Sequence, residues 1–230
     1  MGVQFIFSPK WFYGIDCIFE GISVIVLLLL ALSTYKLYKF TKDRHHLYFG
    51  VSFIVLALGF LAKITTNIEI YFPQMIIRTI SPEVVFTITG MVNASIIYTL
   101  GFFFYKLFVV WGFLGLIFII THSKEYRWIP LTAYFGFIIA LFSTVANHIF
   151  YITTSILLFY LVYYLYKNWK KKRSKKIVPL LTFLSFLIIL VSSITFIFML
   201  LSVYFYVIAE VLQVVGFLVL LVAYVLLIKK

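Results

Sequence analysis

The sequence predicts an all-α membrane protein, a polytopic seven-transmembrane helix bundle with its N-terminus outside and its C-terminus in the cytoplasm. Composition, seven apolar stretches and the placement of Lys and Arg each support this prediction. Hydrophobic residues make up 64% of the chain, charged residues 11%, and the mean hydropathy is +1.14. A soluble domain carries roughly a quarter charged residues, so lipid must act here as part of the solvent. We expect one domain over residues 1–230.

The apolar stretches have the length that a membrane requires. A hydrocarbon core about 30 Å thick is crossed by about 20 helical residues. The predicted spans are 14–37, 47–70, 96–120, 128–146, 149–166, 177–202 and 203–228. Because the fourth and fifth spans nearly adjoin, as do the sixth and seventh, each pair should form a tight outer hairpin.

Fifteen of the nineteen Lys and Arg residues fall after the first, third, fifth and seventh spans, which sets the orientation. They are Lys36, Lys39, Lys42, Arg44, Lys124, Arg127, Lys167, Lys170, Lys171, Lys172, Arg173, Lys175, Lys176, Lys229 and Lys230. The opposite side has only Lys10 and Arg78. Positive loops face the cytoplasm, and only seven spans bring all four basic regions to one face. The predicted location is the cell membrane, multi-pass.

The segment between the second and third spans is predicted as an outer loop over residues 71–95. Ser81, Pro82 and Glu83 resemble a helix start, with a capping hydroxyl, a proline and an acid. A helix from there to Ile120 would be about 57 Å long, more than one span needs. We therefore expect a short outer helix from about residue 82, separated from the true span.

Five charged residues lie within the predicted spans, where charge is costly and usually functional. Helical spacing adds two polar neighbours on the face of Glu210. Together they predict an outward-opening pocket for a small ligand or ion, formed by Asp16, Glu20, Lys63, Lys106, Tyr206, Glu210 and Gln213. A structural interpretation is equally open, in which ion pairs between helices lock the bundle. Lys63 and Asp16 could instead reach the interface, whereas Glu210 and Lys106 should be interior.

The basic run after the fifth span contains a tryptophan, Trp169, among its lysines. We expect it to set topology and to contact anionic lipid, with a cytoplasmic protein partner as the alternative and no role in binding nucleic acid. The run comprises Lys167, Lys170, Lys171, Lys172, Arg173, Lys175 and Lys176.

No motif indicates a catalytic centre, and neither a cofactor nor a metal is predicted. The spacing of His, Cys and carboxylates resembles no metal site, and no histidine lies well inside a span, as a haem would need. The seven-span plan is that of rhodopsins and G-protein-coupled receptors in topology only. The seventh span has no lysine for a Schiff base, since Lys229 and Lys230 follow it, so no family is assigned.

Three functions remain open from the sequence. A receptor-like or sensor module is favoured, because the polar residues are outside and the short basic loops can only pass a signal to a partner. An ion- or proton-coupled transporter is the first alternative, although no span has an interior proline. A non-catalytic subunit of a membrane complex is the second, with Gly59, Gly112 and Gly115 suited to close helix contacts. An enzyme is not expected.

Overall fold

The computed structural model describes residues 8–79, 88–121, 128–145, 147–171 and 177–228, and these form seven α-helices. Short 3-10 turns, Lys10–Phe12 and Phe198–Leu200, precede the first and the last helix. The helices are α1 (Ile15–Thr41), α2 (Arg44–Thr79), α3 (Ile88–Ile120), α4 (Trp128–Val145), α5 (Asn147–Lys171), α6 (Ile177–Ile197) and α7 (Val203–Ile228).

Consecutive helices pack against each other, and α1 also packs against α7, which closes the bundle. Short connections make neighbouring helices antiparallel. Helix α4 is peripheral, because its contacts are chiefly with α3 and α5, and these two also touch each other. We call the end where α1 begins the Asp16 end, and the end where α1 meets α2 the Lys42 end. The apolar core, with Leu27, Phe53 and Leu116 among its members, fills the interior.

Six of the helices are long and apolar enough to cross a bilayer. In α4 the described apolar stretch is shorter, Ala133–Ser143. Many large apolar side chains point outward from the helices, for example Ile25, Ile156 and Phe159. An aqueous surface would penalise so much exposed apolar area, and these helices therefore define a multi-pass membrane protein that contacts the lipid bilayer.

The helices extend beyond several predicted spans. Helix α2 continues through Pro73 to Thr79, and α3 runs without a break from Ile88 to Ile120. Residues 71–79 are therefore helical where a loop was predicted, and α3 has no break between residues 88 and 120 that would separate a short outer helix from the span. The expected helix start at Ser81–Glu83 lies outside the described residues. The connection between α1 and α2 has two residues, Lys42 and Asp43, where Lys42 adopts the left-handed conformation that ends α1.

The α2–α3 interface depends on glycines that let the two backbones approach closely. A Cβ on Gly112 would lie 2.4 Å from Cγ of Leu56, and one on Gly115 would lie 2.4 Å from Oγ of Ser52. A Cβ on Gly59 would lie 3.3 Å from the carbonyl oxygen of Tyr105. These are the glycines that suggested contacts with another subunit. They are used inside this bundle instead, which removes that support for the complex-subunit alternative.

We predict that Gly112→Ala lowers the stability of the detergent-purified protein by about 1–3 kcal/mol, because the added methyl overlaps the buried Leu56 side chain. The measurement is thermal unfolding. Gly21→Ala is the matched control: a Cβ there meets nothing within 4 Å, and alanine favours a helix by about 1 kcal/mol over glycine. Equal effects of the two substitutions would contradict the close α2–α3 approach.

Candidate functional site

A buried ionic cluster joins α1, α2 and α7 in the half of the bundle nearer the Asp16 end. Its centre is the ammonium group of Lys63, which forms ion pairs with Glu20 at 2.8 Å and with Glu210. The three residues are each 1% exposed. One side chain from each of three helices therefore meets at the ammonium group. We call Lys63, Glu20, Glu210 and Asp16, with the side chains that contact them, the Lys63 cluster.

Aromatic rings surround the ammonium group on its remaining sides. The Nζ atom of Lys63 lies 5.5 Å from the ring centre of Tyr105, 5.7 Å from that of Phe196 and 5.6 Å from that of Tyr206. A cation is attracted to ring faces at such distances, and more strongly where water is absent. These rings come from α3, α6 and α7, so five helices contribute to the surroundings of one charge.

Hydrogen bonds hold the carboxylates of α1 in place. Asn67 donates through Nδ2 to both carboxylate oxygens of Glu20, at 3.1 and 3.3 Å. Asp16 is fully buried; it accepts a hydrogen bond from the hydroxyl of Tyr71, and the hydroxyl of Tyr206 lies 3.5 Å from the same oxygen. Its other oxygen accepts from the backbone N–H of Cys17, at 2.9 Å. The start of α1 is thus fixed to α2 and α7.

The Lys63 cluster contains more acids than bases. Three buried carboxyl groups, on Asp16, Glu20 and Glu210, face one buried ammonium group. In a medium without water, uncompensated charge costs many kcal/mol, so the group binds a proton or a counter-ion instead. The arrangement can therefore take up positive charge, and this is the chemistry that a simple structural lock with balanced charges would not provide.

Lys106 forms a separate site. It is 3% exposed, and its Nζ donates to the carbonyl oxygen of Ser143 and to Oδ1 of Asn147, both at 2.6 Å. Among the described residues it forms no ion pair with Glu210, which pairs with Lys63. The sequence could not assign these partners, because helix periodicity gives the face of a residue and not the neighbour across the interface.

The structure places most of the predicted pocket residues together. Asp16, Glu20, Lys63, Tyr206 and Glu210 meet in one cluster, although it is closed and not an open pocket. The alternative in which Lys63 and Asp16 reach the membrane surface was wrong, since both are buried.

Two predicted pocket residues, Lys106 and Gln213, lie apart from the Lys63 cluster. Sequence reasoning missed three partners of the cluster: the hydroxyl of Tyr71, which donates to Asp16, and the rings of Tyr105 and Phe196 beside Lys63. Tyr71 follows Asn67 by four residues on α2, and that helical spacing could have revealed it if the span had not been ended at Ile70.

The basic run begins on the last turn of α5. Lys167 and Lys170 are exposed there, and Lys171 closes the helix. Lys172, Arg173, Lys175 and Lys176 lie outside the described residues. In the described part of the chain, no three His, Cys, Asp or Glu side chains are grouped as a metal site would require.

The fold and the cluster define a class, a multi-pass helical membrane protein with a buried ionic cluster. Comparison with known proteins assigns nothing further, since no family model, no curated protein and no solved structure matches the chain.

We predict that Lys63→Met destabilises the protein by about 3–5 kcal/mol, because it leaves buried carboxylates without their counter-charge. Lys106→Met is the matched control, since it removes a buried cation that donates hydrogen bonds to neutral oxygens. It should cost less, about 1–2 kcal/mol, because it leaves neutral oxygens and not carboxylates without their donor.

The measurement for both variants is thermal unfolding in detergent. A double variant, Lys106→Met with Glu210→Gln, should show effects that add to within about 0.5 kcal/mol, because the two residues share no partner. Strong coupling between them, or a severe effect of Lys106→Met alone, would contradict the pairing described here.

Proposed function

We propose that the protein is a receptor-like sensor module of the cell membrane, which responds at the Lys63 cluster to protons or a small ligand from outside. The observation that carries the proposal is the excess of buried carboxyl groups over the ammonium group of Lys63. Buried ionisable groups in a membrane are poor stabilisers compared with apolar packing. An unbalanced set is poorer still, so its presence favours a role in binding.

The proposed orientation places the Asp16 end outside and the Lys42 end in the cytoplasm. The support is the concentration of Lys and Arg at the Lys42 end, which follows the positive-inside rule. The Lys63 cluster then lies in the outer half of the membrane. The exposed lysines at the end of α5 face the cytoplasm, beside anionic lipid headgroups or a protein partner.

A route for the signal follows from the helices that share the cluster. Helices α1, α2 and α7 meet at Lys63, and all three continue to the Lys42 end. Protonation of a carboxyl group weakens its attraction to Lys63, so the relative positions of these helices depend on occupancy. The connection at Lys42 and Asp43 and the end of α7 would carry the change to a cytoplasmic partner. The proposal includes no catalytic activity.

The orientation is tested by cysteine labelling in a Cys17→Ser background. We expect Leu201→Cys, at the α6–α7 turn, to react with a membrane-impermeant maleimide on intact cells, since Leu201 is exposed at the Asp16 end. Lys170→Cys should react only after the membrane is permeabilised, because it lies at the opposite end. The reverse pattern would overturn the orientation.

The sensor function is tested with protons as the ligand. A Lys39→Cys variant in the Cys17→Ser background, labelled on the exposed last turn of α1, carries an environment-sensitive fluorophore in lipid nanodiscs, and its emission is recorded as pH falls from neutral to acid. We expect a change that is lost in Glu210→Gln, because the amide cannot take up the proton. Glu69→Gln, which alters an exposed carboxylate on α2, should leave the change intact. An unchanged emission in the parent, or the same response in Glu210→Gln, would overturn the proposal.

A carrier is the second candidate, and one observation favours it. A small cavity, whose wall includes the polar side chains of Gln213, Thr154 and Ser192, is separated from the Lys63 cluster by the aromatic rings of Tyr105 and Phe196. Its polar side chains could hold a proton or ion that has moved on from the Lys63 cluster. Proton uptake into vesicles that contain the purified protein, absent from vesicles that contain Glu210→Gln, would favour the carrier over the sensor.

A further inference from the structure

A small cavity lies inside the bundle, between α3, α5, α6 and α7, and its wall combines apolar side chains with the polar side chains of Thr154, Ser192, Ser193 and Gln213. It is a cavity with about 20 Å³ of space for the centres of water-sized molecules, which is room for a single small species. Tyr105 and Phe196 line it and also contact the ammonium group of Lys63. The cavity is therefore separated from the Lys63 cluster by two rings, and it contains none of the carboxyl groups of that cluster.

One oxygen atom in the cavity wall has no hydrogen-bond partner. Gln213 is 9% exposed, and its Oε1 atom accepts no hydrogen bond from any described residue. A buried carbonyl oxygen without a donor costs about 1–3 kcal/mol, and an apolar residue of similar size would avoid this cost. The unpartnered oxygen faces a cavity large enough for a donor, which indicates that an occupant satisfies it.

The hydroxyl groups of the wall also present oxygen atoms. Ser192 donates its proton to the carbonyl oxygen of Ala209 at 2.7 Å, and Thr154 donates to that of Phe150 at 3.0 Å. The Oγ1 atom of Thr154 also lies 3.0 Å from Oγ of Ser193, another residue of the wall. Each hydroxyl oxygen keeps lone pairs after it has donated. With Oε1 of Gln213, the wall therefore provides several acceptors to one small occupant. Oxygen atoms with free lone pairs suit a cation or a strong donor better than they suit an anion.

The charge of the surroundings has the matching sign. Glu210 precedes Gln213 by three residues and shares its face of α7. Beyond the rings, Asp16, Glu20 and Glu210 outnumber Lys63. The rings contribute as well, because a ring face attracts a cation within about 6 Å. A single positive charge in the cavity would thus reduce an imbalance that the protein's own buried groups leave.

We infer that this cavity binds a small monovalent cation, of the size of sodium or ammonium, with Oε1 of Gln213, Oγ of Ser192 and Oγ1 of Thr154 as oxygen ligands. The volume excludes organic ligands and leaves no room for a hydrated ion. The inference concerns a site different from the carboxylates of the proposed sensor, and it does not need a cytoplasmic partner. It can therefore hold where the sensor function fails, and the reverse is also true.

The test is thermal unfolding of the purified full chain at constant ionic strength and pH. The chloride salts of sodium, potassium and ammonium are titrated against that of N-methylglucamine, which is too large to enter. We expect a saturable rise in unfolding temperature with sodium or ammonium. Equal stability in all four salts would show that water alone satisfies Gln213, and it would overturn the inference.

Variants locate the site. Gln213→Leu should shift the midpoint of the cation response by at least about tenfold, because a ligand oxygen is lost. Gln213→Glu, which keeps the shape and adds a negative charge, should tighten binding. Thr195→Val is the matched control, since Thr195 is a half-buried hydroxyl residue on α6 that does not line the cavity and donates to the carbonyl oxygen of Val191.

Ser192→Ala supplies a second ligand variant if Gln213→Leu does not fold. A parent-like response in both Gln213→Leu and Ser192→Ala would place the cation elsewhere and would overturn the assignment.

Discussion

The buried positive charge of Lys63 must be compensated by the protein, and the half of the bundle nearer the Asp16 end depends on this constraint. A buried ammonium group in a membrane cannot rely on water, so its partners have to come from the protein. Glu20 on α1 and Glu210 on α7 provide the opposite charges, and Tyr105, Tyr206 and Phe196 provide ring faces. The first and last helices are thereby tied to α2. They also contact each other, and this contact closes the bundle.

The close approach of α2 and α3 is the second condition for this geometry. Gly59 lies one turn before Lys63 on α2, and its Cα faces the carbonyl oxygen of Tyr105. Because no Cβ intervenes, α3 comes near enough for the Tyr105 ring to lie over the ammonium group. The glycines and the charge act together: the glycines bring the aromatic ring within reach of the charge, and the charge is shielded by that ring. Packing and electrostatics are therefore not separate features of this interface.

The ratio of carboxyl to ammonium groups in the cluster bears on whether it serves only to hold the helices together or also to sense a ligand. A balanced ion pair would explain the cluster as a lock, and the sequence left this interpretation open. The described residues instead have three buried carboxyl groups for one ammonium group in the cluster, and Lys106 is engaged elsewhere. In the proposed sensor, an imbalance of this kind would make stability depend on a proton or cation taken up from the medium. Binding and structural integrity would then be two consequences of one arrangement.

The sequence alone determined the features that follow from composition and periodicity. The number of helices among the described residues, their approximate limits, the short connections from α4 to α5 and from α6 to α7, and the identity of the charged residues within the spans could all be predicted, because lipid imposes a length and a polarity on every span. The bilayer location follows from the same facts. The proposed orientation also rests on sequence, on the positions of the lysines and arginines.

Only the tertiary structure decided which side chains meet. Periodicity places Glu210 and Gln213 on one face of α7, but it does not say that the first binds Lys63 while the second lines a different cavity. It could not show that Gly112 serves the α2–α3 interface and not another subunit. The physical reason is that partner choice depends on helix rotation and stagger, which arise from packing all seven helices at once and leave no local pattern in the chain.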